Sequence, residues 1–508
     1  MVDKIDSNST GLRYALESAP KVLIGSPVWY PLEPNSYDSF GPEYNKISRR
    51  PINASRQRRK GVLAGLEASG GWNQDLTFTN LTRLLQGFFF ANIHEKLTTK
   101  PLNGTQIDID TVAALDDSYA VAAGMPAFIA DDILSVSGSG ITGNNGVKVV
   151  SANATGTKVT VLQALTDESP ANNAIVIQRV GHRFASATLD VVIGPNGLPR
   201  LSRASGVVDY TTLGLTVGEW IFIGGDDAND RFANNVGFGR ISSIAAGYIE
   251  LDKTTFTPTA ETGTGKTVHI YFGDFIKNES DPNLILQKSY QVERTLGNDG
   301  VGVQSEYLVG AFPNELTINI PEEDKINVDL SFISLGHEKY TGTVGVKAGS
   351  RPVGTLEEAY NTTVDTTRFR LSTNNDSSSV YTPLFTYATE ATITINNNVS
   401  PNKAISVLGG FNATAGLFEV GGDIKAYFST VEAIQAIEDN DNVSLDVWIQ
   451  RENKGLMFDI GLLTLADGKL DVALDEPVTV PLTSEAAENK FNATLLFGSF
   501  AYLPNIAS

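Results

Sequence analysis

Apolar residues fall on every second position in "ELTINI" (315–320), "KINVDLSF" (325–332), "EATITINNNV" (390–399) and "VSLDVWI" (443–449). A period of two sends one set of side chains to a buried face and the other to water, as a half-buried strand requires. Much of the remaining chain is short runs of Thr, Val, Ile and Phe broken by Gly, Asn and Asp, residues that favour turns between strands. A helical period shows clearly in two places. In "TNLTRLLQGFFFANI" (79–93), Leu81, Leu84, Leu85, Phe88 and Phe89 share one face behind a Thr79 or Asn80 cap. In "STVEAIQAIED" (429–439), Val431, Ile434 and Ile437 or Ala433 do the same behind Ser429 or Thr430. Neither segment is long enough to be stable alone in water, so each must dock on a sheet. The expected class is mainly β, with β-sandwich or barrel domains that each carry one short docked helix.

Two internal similarities organise the chain. Residues 131–184 resemble 217–276, with Asn144-Asn145 against Asn234-Asn235 and Gly181 against Gly273. Each copy reads as four or five short strands around Gly/Asn turns, which predicts two small inserted β-barrels at 105–190 and 191–282. A fainter and larger likeness sets "PNELTINIPEEDKINVDLSFIS" (313–334) beside "ATITINNNVSPNKAISVLGGF" (391–411), with one helix on each side. It divides the rest into a first unit, 1–104 with 283–348, and a second unit, 349–508.

Composition narrows the chemistry. At 508 residues and 41% hydrophobic the chain can bury several cores. The absence of cysteine removes disulfides, thiolate metal sites and a cysteine nucleophile. His94, His182, His269 and His337 are too few and too scattered for a histidine-rich metal site, so no metal or other cofactor is expected. "ETGTGKT" (261–267) ends like a phosphate-binding loop, but Ala260 stands where the first Gly belongs and a strand, "VHIYF", follows instead of a helix. The aspartates of 106–118 and 224–232 lack the calcium-loop spacing and read as solvated turns. No nucleophile elbow or Ser/His/Asp order is present, and Glu322-Glu323 reads as a charged turn, so no enzymatic activity is expected. The start lacks the apolar core of a signal peptide and no span is long enough for a membrane, which points to folding in the cytoplasm of the producing cell. A net charge of -20 argues against binding duplex DNA, though it suits a protein that repels it.

Against that acidity, "SRRPINASRQRRKG" (48–61) gathers Arg49, Arg50, Arg56, Arg58, Arg59 and Lys60. Pro51 and Asn53 interrupt any periodicity, which predicts a long loop or an extended hairpin arm over about 41–61. Three readings stand beside one another: an arm that grips protein, a solvated turn without a partner, and a DNA contact. The last lacks the interleaved aromatic residues of a single-strand binder.

The segment around this arm resembles the tail tube protein (major tail protein) family of long-tailed, non-contractile bacteriophages. The likeness is carried by Ser55–Gly61 ("SRQRRKG"), Ala68–Leu76 ("ASGGWNQDL") and Leu81–Phe90, which holds "LLQGFFF". "GLFEVGGDIKAYFSTVEAIQAI" (416–437) with the strand at 443–449 resembles the closing half of that family. The resemblance implies a virion protein assembled in the host cytoplasm. It would form stacked rings around a channel, with a docked helix using Leu81, Leu84, Leu85, Phe88 and Phe89. The basic arm would reach a neighbouring ring. Its implied partners are further copies of itself, with tail terminator, tape measure and distal tail proteins, and DNA would pass without specific binding. Two tube units per chain imply a trimeric ring with pseudo-sixfold symmetry; a single unit would imply a hexamer. The inserted barrels would project outward. A rival reading is a receptor- or glycan-binding tail or baseplate protein, for which Trp220 and Phe222 offer a thin aromatic platform. A carbohydrate-active enzyme is the third.

Overall fold

The computed structural model describes residues 10–507 except 51, 53–55, 58, 299–301, 343, 376, 429 and 473. The first half opens with β1 (Gly11–Ala19), then a long hairpin of β2 (Pro34–Ile47) and β3 (Val62–Asp75), then helix α1 (Thr82–Phe88). Residues between α1 and Lys277 form the inserted region. The chain returns through β4 (Tyr290–Asn298), β5 (Val303–Ile320) and β6 (Asn327–Gly342). The second half runs β7 (Ala388–Asn396), β8 (Glu419–Tyr427), helix α2 (Glu432–Glu438), β9 (Val443–Arg451), β10 (Lys454–Asp467), β11 (Thr479–Ala486) and β12 (Leu496–Phe500). The fold is mainly β.

Pairing in the two halves follows one plan. In the first, β2 pairs β3, β3 pairs β6, β6 pairs β5, and β4 lies on the other side of β5. In the second, β7 pairs β8, β8 pairs β11, β11 pairs β10, and β9 lies on the other side of β10. Every one of these ladders is antiparallel, and each half places its helix between the second strand and the strand that lies apart. The halves join where Glu315–Ile320 of β5 pairs Asn396–Ala391 of β7. The result is one curved arc in the order β2-β3-β6-β5-β7-β8-β11-β10.

One face of this arc is apolar. Trp72, Leu316, Ile318, Val328, Leu330, Ile393, Ile395, Ile424, Val480 and Leu482 belong to a single core that crosses the junction. Helix α1 closes it on one side, with Leu81, Leu84, Leu85, Phe88 and Phe89 all at most 2% exposed. Trp72 stacks on Phe332 at 5.0 Å between ring centroids, and Phe88 meets the same ring edge-on at 5.5 Å. The helix comes this close because position 87 is glycine: a Cβ there would lie 2.6 Å from the Tyr290 hydroxyl and 2.8 Å from Pro313.

Both helices are shorter than their periodic segments, and their caps differ from the expected ones. Leu81 occupies the cap of α1 with no side-chain hydrogen bond, because the Asn80 side chain is used on the preceding turn, accepting from Thr77 N and donating to Asp75 O. In α2 the cap is Val431, which is exposed, while Ala433 and Ala436 are buried. Ser429 lies outside the described residues.

The inserted region carries two cores, one spanning Ile109–Ile177 and one Phe184–Phe272. Thirteen of its strands form one continuous sheet, because strand Val176–Phe184 pairs Asp132–Ser137 with its first part and Val268–Phe272 with its last. "ETGTGKT" joins two strands that do not pair with each other, Glu261–Thr262, which pairs Asp190–Val191, and Val268–Phe272, and Lys266 Nζ donates to Ala228 O.

A candidate assembly surface

Beyond Ala68 the strand β3 loses its neighbour β6 and continues with β2 alone, as far as the pair Ile47–Val62. The hairpin therefore leaves the sheet as a two-stranded arm. Past Ile47 the ribbon narrows, with Arg59 N donating to Arg49 O at 3.1 Å. Tyr44, Ile47, Ile52, Val62 and Leu63 are exposed along it. So are Arg49, Arg50, Arg56, Arg59 and Lys60, and no ion pair among the described residues involves them. Arg58 lies outside the described residues. Exposed here are apolar side chains, which gain by leaving water, and guanidinium groups, which bind carboxylates in a planar fork.

The equivalent connection in the second half, between β7 and β8, folds differently. It forms a small hairpin of Ser400–Lys403 and Gly410–Thr414 that lies back on the first half. Lys403 pairs with Glu67 at the base of the arm, Lys21 Nζ donates to Gly410 O at 2.7 Å, and Val399 and Ala413 cluster with Phe90, Phe312 and Leu335. Ile405, Leu408 and Phe411 stay exposed at its tip. The two hairpins are thus neighbours at one end of the arc.

The other end is acidic. There the turn between β5 and β6 exposes Glu322, Glu323 and Asp324, and the turn between β10 and β11 exposes Asp471, Asp475 and Glu476. Glu322, Glu390, Asp471 and Glu476 line one shallow cleft with Lys425.

The face of the arc opposite the core is polar throughout the junction. Asn73 Nδ2 donates to Asn327 and Asp329, and Asn319 Nδ2 does the same from the other side. Thr317 and Thr394 bond across the seam between the halves at 3.2 Å. The carboxylates of Asp75, Glu315, Asp329, Glu390, Glu419, Asp423 and Glu485 lie on this face, with Lys425 among them and Lys325 bound to Asp75. Sequence alternation marked Glu315, Thr317, Asn319, Asp329, Glu390 and Thr394 as the wet side of separate strands. What it lacked was the pairing order that joins them into one surface.

The inserted region packs on the arc from the side away from this polar face. Trp220, Phe222, Phe238 and Tyr271 form a core with Trp448, Met457 and Phe500. Trp220 and Phe222 are 0% and 1% exposed, so they form no platform for a glycan. Trp220 Nε1 also donates to Asp459 at 2.7 Å, and Arg240 bridges Asp459 and Asp252 at 3.0 and 2.8 Å. Beside them Lys253 reaches Asp446 at 2.5 Å, and Arg368 binds the other oxygen of Asp446. Burial pushes both Asp252 and Asp446 up, but the neighbouring cations outweigh it and hold them below the ordinary carboxylate range.

Among the described residues no helix is long and apolar enough to cross a membrane, and no cluster of His, Asp and Glu suits a metal ion. No curated protein matches the chain in a sequence comparison. A family model described as phage tail tube protein matches residues 7–486, nearly the whole length that carries the arm, the polar arc and its acidic end. The chain belongs to the phage tail tube protein family, whose members are structural components of the virion.

Proposed function

We propose that this chain assembles with copies of itself into stacked rings that form the tail tube and conduct the genome into the host. The two halves act as two tube units, residues 1–104 with 283–348 and residues 349–508, so that three chains make a pseudo-sixfold ring. The polar, carboxylate-bearing face lines the channel, and the inserted region projects outward. A channel that carries DNA must not hold it, and fixed carboxylates repel phosphates while Asn and Thr keep the wall wetted.

The observation that carries this reading is the opposed charge of the two ends of the arc. The basic arm leaves one end, and Glu322, Glu323, Asp324, Asp471, Asp475 and Glu476 stand at the other. Unlike ends on one molecule favour head-to-tail stacking, a contact that repeats without closing and so builds a filament. Exposed ion pairs give only about 0.2–1 kcal/mol each. The arm's exposed Tyr44, Ile47, Val62 and Leu63 therefore supply much of the affinity.

Electron microscopy of the purified protein tests the reading directly, with rings or tubes of regular axial repeat expected. Arg56, Arg58 and Arg59 replaced together by Ser should leave single rings and abolish stacking. Tubes of normal length from that variant would remove the arm from the stacking contact, and a chain that stays monomeric at high concentration would overturn the assembly itself.

A further inference from the structure

The arm leaves the arc at an irregularity in β2. Asp38 pairs Gly71 of β3 and Gly41 pairs Ser69, so Ser39 and Phe40 together stand opposite Gly70. This is a β-bulge, which bends its strand and sharpens the local twist. Ser39 lies at φ 44° and Gly41 at φ 148°, the second a conformation that only glycine adopts easily. The bulge also marks the fork in the sheet. Strand β6 follows β3 as far as the pair Ser334–Ala68, one residue past Ser69, and beyond it the arm has no third strand among the described residues.

A chain of charged side chains from β4, β5 and β6 ends on this bulge. Arg294 of β4 donates from Nη2 to the carbonyl oxygen of Phe40 at 3.2 Å. Its guanidinium lies 4.4 Å from the centroid of the Phe40 ring and 5.3 Å from that of Tyr37, close enough for cation–π attraction. The same guanidinium holds Glu306, its cross-strand partner on β5, with Nε 2.7 Å from Oε1. The other oxygen of Glu306 lies 3.0 Å from Nε2 of His337 on β6, whose side chain is 1% exposed. Burial pushes the Glu306 carboxyl up, but His337 and Arg294 outweigh it and hold it below the ordinary carboxylate range. Phe40 is seated as closely from the other side. A Cβ at position 70 would lie 2.6 Å from Leu308 and 2.9 Å from the Phe40 ring, so glycine is what lets that ring lie flat on the strand.

We infer that Arg294 is a positioning residue for the arm: from a base fixed by Glu306 and His337 it holds the Phe40 carbonyl and so sets the angle at which the hairpin leaves the arc. This rests on the stacking role given to the arm above, but the aim itself belongs to the free chain. A long lever makes that angle matter. At about 3.3 Å per residue Ile47 stands about 20 Å out from Gly41, so a turn of about 20° at the bulge carries it about 7 Å, past the ~4 Å reach of an ion pair. An arm already aimed also loses less conformational freedom when a second copy binds it.

Because the chain contains no cysteine, two spin labels can be attached without background, at Lys46→Cys on the arm and Asp423→Cys on β8, both exposed. Pulsed electron paramagnetic resonance on the dilute, unassembled chain reads the distance between them. With Arg294 present it should show one narrow distance. Arg294→Met should shift or broaden it, and so should Arg294→Lys, which keeps a cation on Glu306 but lacks the fork that also reaches Phe40. The unfolding midpoint of each variant is measured beside it, since a role in stability alone would lower the midpoint and leave the distance as it was. An unchanged distance in either folded variant overturns the clamp, and so does a distribution already broad with Arg294 in place. In the microscope, a folded Arg294→Lys chain with an altered distance should give shorter stacks of rings. Tubes of normal length from it would show that the angle does not govern stacking. If the distance responds as expected and the parent chain builds no tubes, the stacking reading fails and the clamp stands.

Discussion

Arg240 is where the insert is fastened to the arc, and it is 2% exposed. A guanidinium that far from water is tolerable only with carboxylates on it, and Asp252 and Asp459 supply them from either side. Asp459 comes from β10, which lies 219 positions along the chain from Arg240. Nothing in the local sequence marks either residue as one of a pair. We predict that Asp459→Ala costs about 3–5 kcal/mol in chemical denaturation, the range for stripping one partner from a buried pair. Combining Asp459→Leu with Arg240→Met should recover most of that loss, because an apolar pair needs no desolvation. A single-variant cost below about 1 kcal/mol would mean that the apolar contacts of Trp220 and Trp448 hold the insert without the charges.

At the scale of elements, the strand Asp274–Lys277 hands the chain back from the insert to the arc by pairing β12. Asp274 is fixed there by Lys96 N at 2.7 Å and Gln178 Nε2 at 2.9 Å, and burial pushes its carboxyl up to about 6. Its folded value is above its unfolded one. Between pH 4 and 6 the folded chain therefore holds more protons, and this residue's contribution to stability falls as pH rises. Above that window the penalty is constant. Relative to the wild type, Asp274→Asn should lose the decline between pH 4 and 6, read as the difference in unfolding midpoint; parallel curves would refute the assignment. Elements were unevenly legible in the sequence. The face of α1 was readable because five large apolar residues outweigh weaker signals, whereas its cap was not, since Asn80 is committed to Asp75 and Thr77. In α2, Val431 fitted the helical period yet points to solvent, and the small Ala433 and Ala436 let the helix sit close. The Asn repeat in the insert has a physical cause that sequence matching set one position off. Asn144 brackets the backbone of Thr166 and reaches Glu168, and Asn235, not Asn234, brackets Thr259 and reaches Glu261.

Across the whole molecule, net charge alone gave no location for the excess acid; the pairing order does. It gathers the wet sides of eight strands, scattered from Asn35 to Glu485, into one surface. If that surface lines the channel, cations placed on it should retard DNA without affecting assembly. Thr317→Lys with Thr394→Lys should leave tube length unchanged and slow genome delivery, more so at low salt, where phosphate attraction is least screened. Delivery at the normal rate in low salt would place this face elsewhere. The hairpin Ser400–Lys403/Gly410–Thr414, folded back where the other half extends an arm, sets a further condition. In a ring of three chains, extended and folded hairpins alternate around the rim, so the surface offered to the next ring repeats every 120° and not every 60°. Under the proposed trimeric stacking, a ring displaced by one sixth of a turn would meet the wrong hairpin at every position, which would make the rotational setting between successive rings a choice among three equivalent angles and give the tube a fixed helical phase along its length.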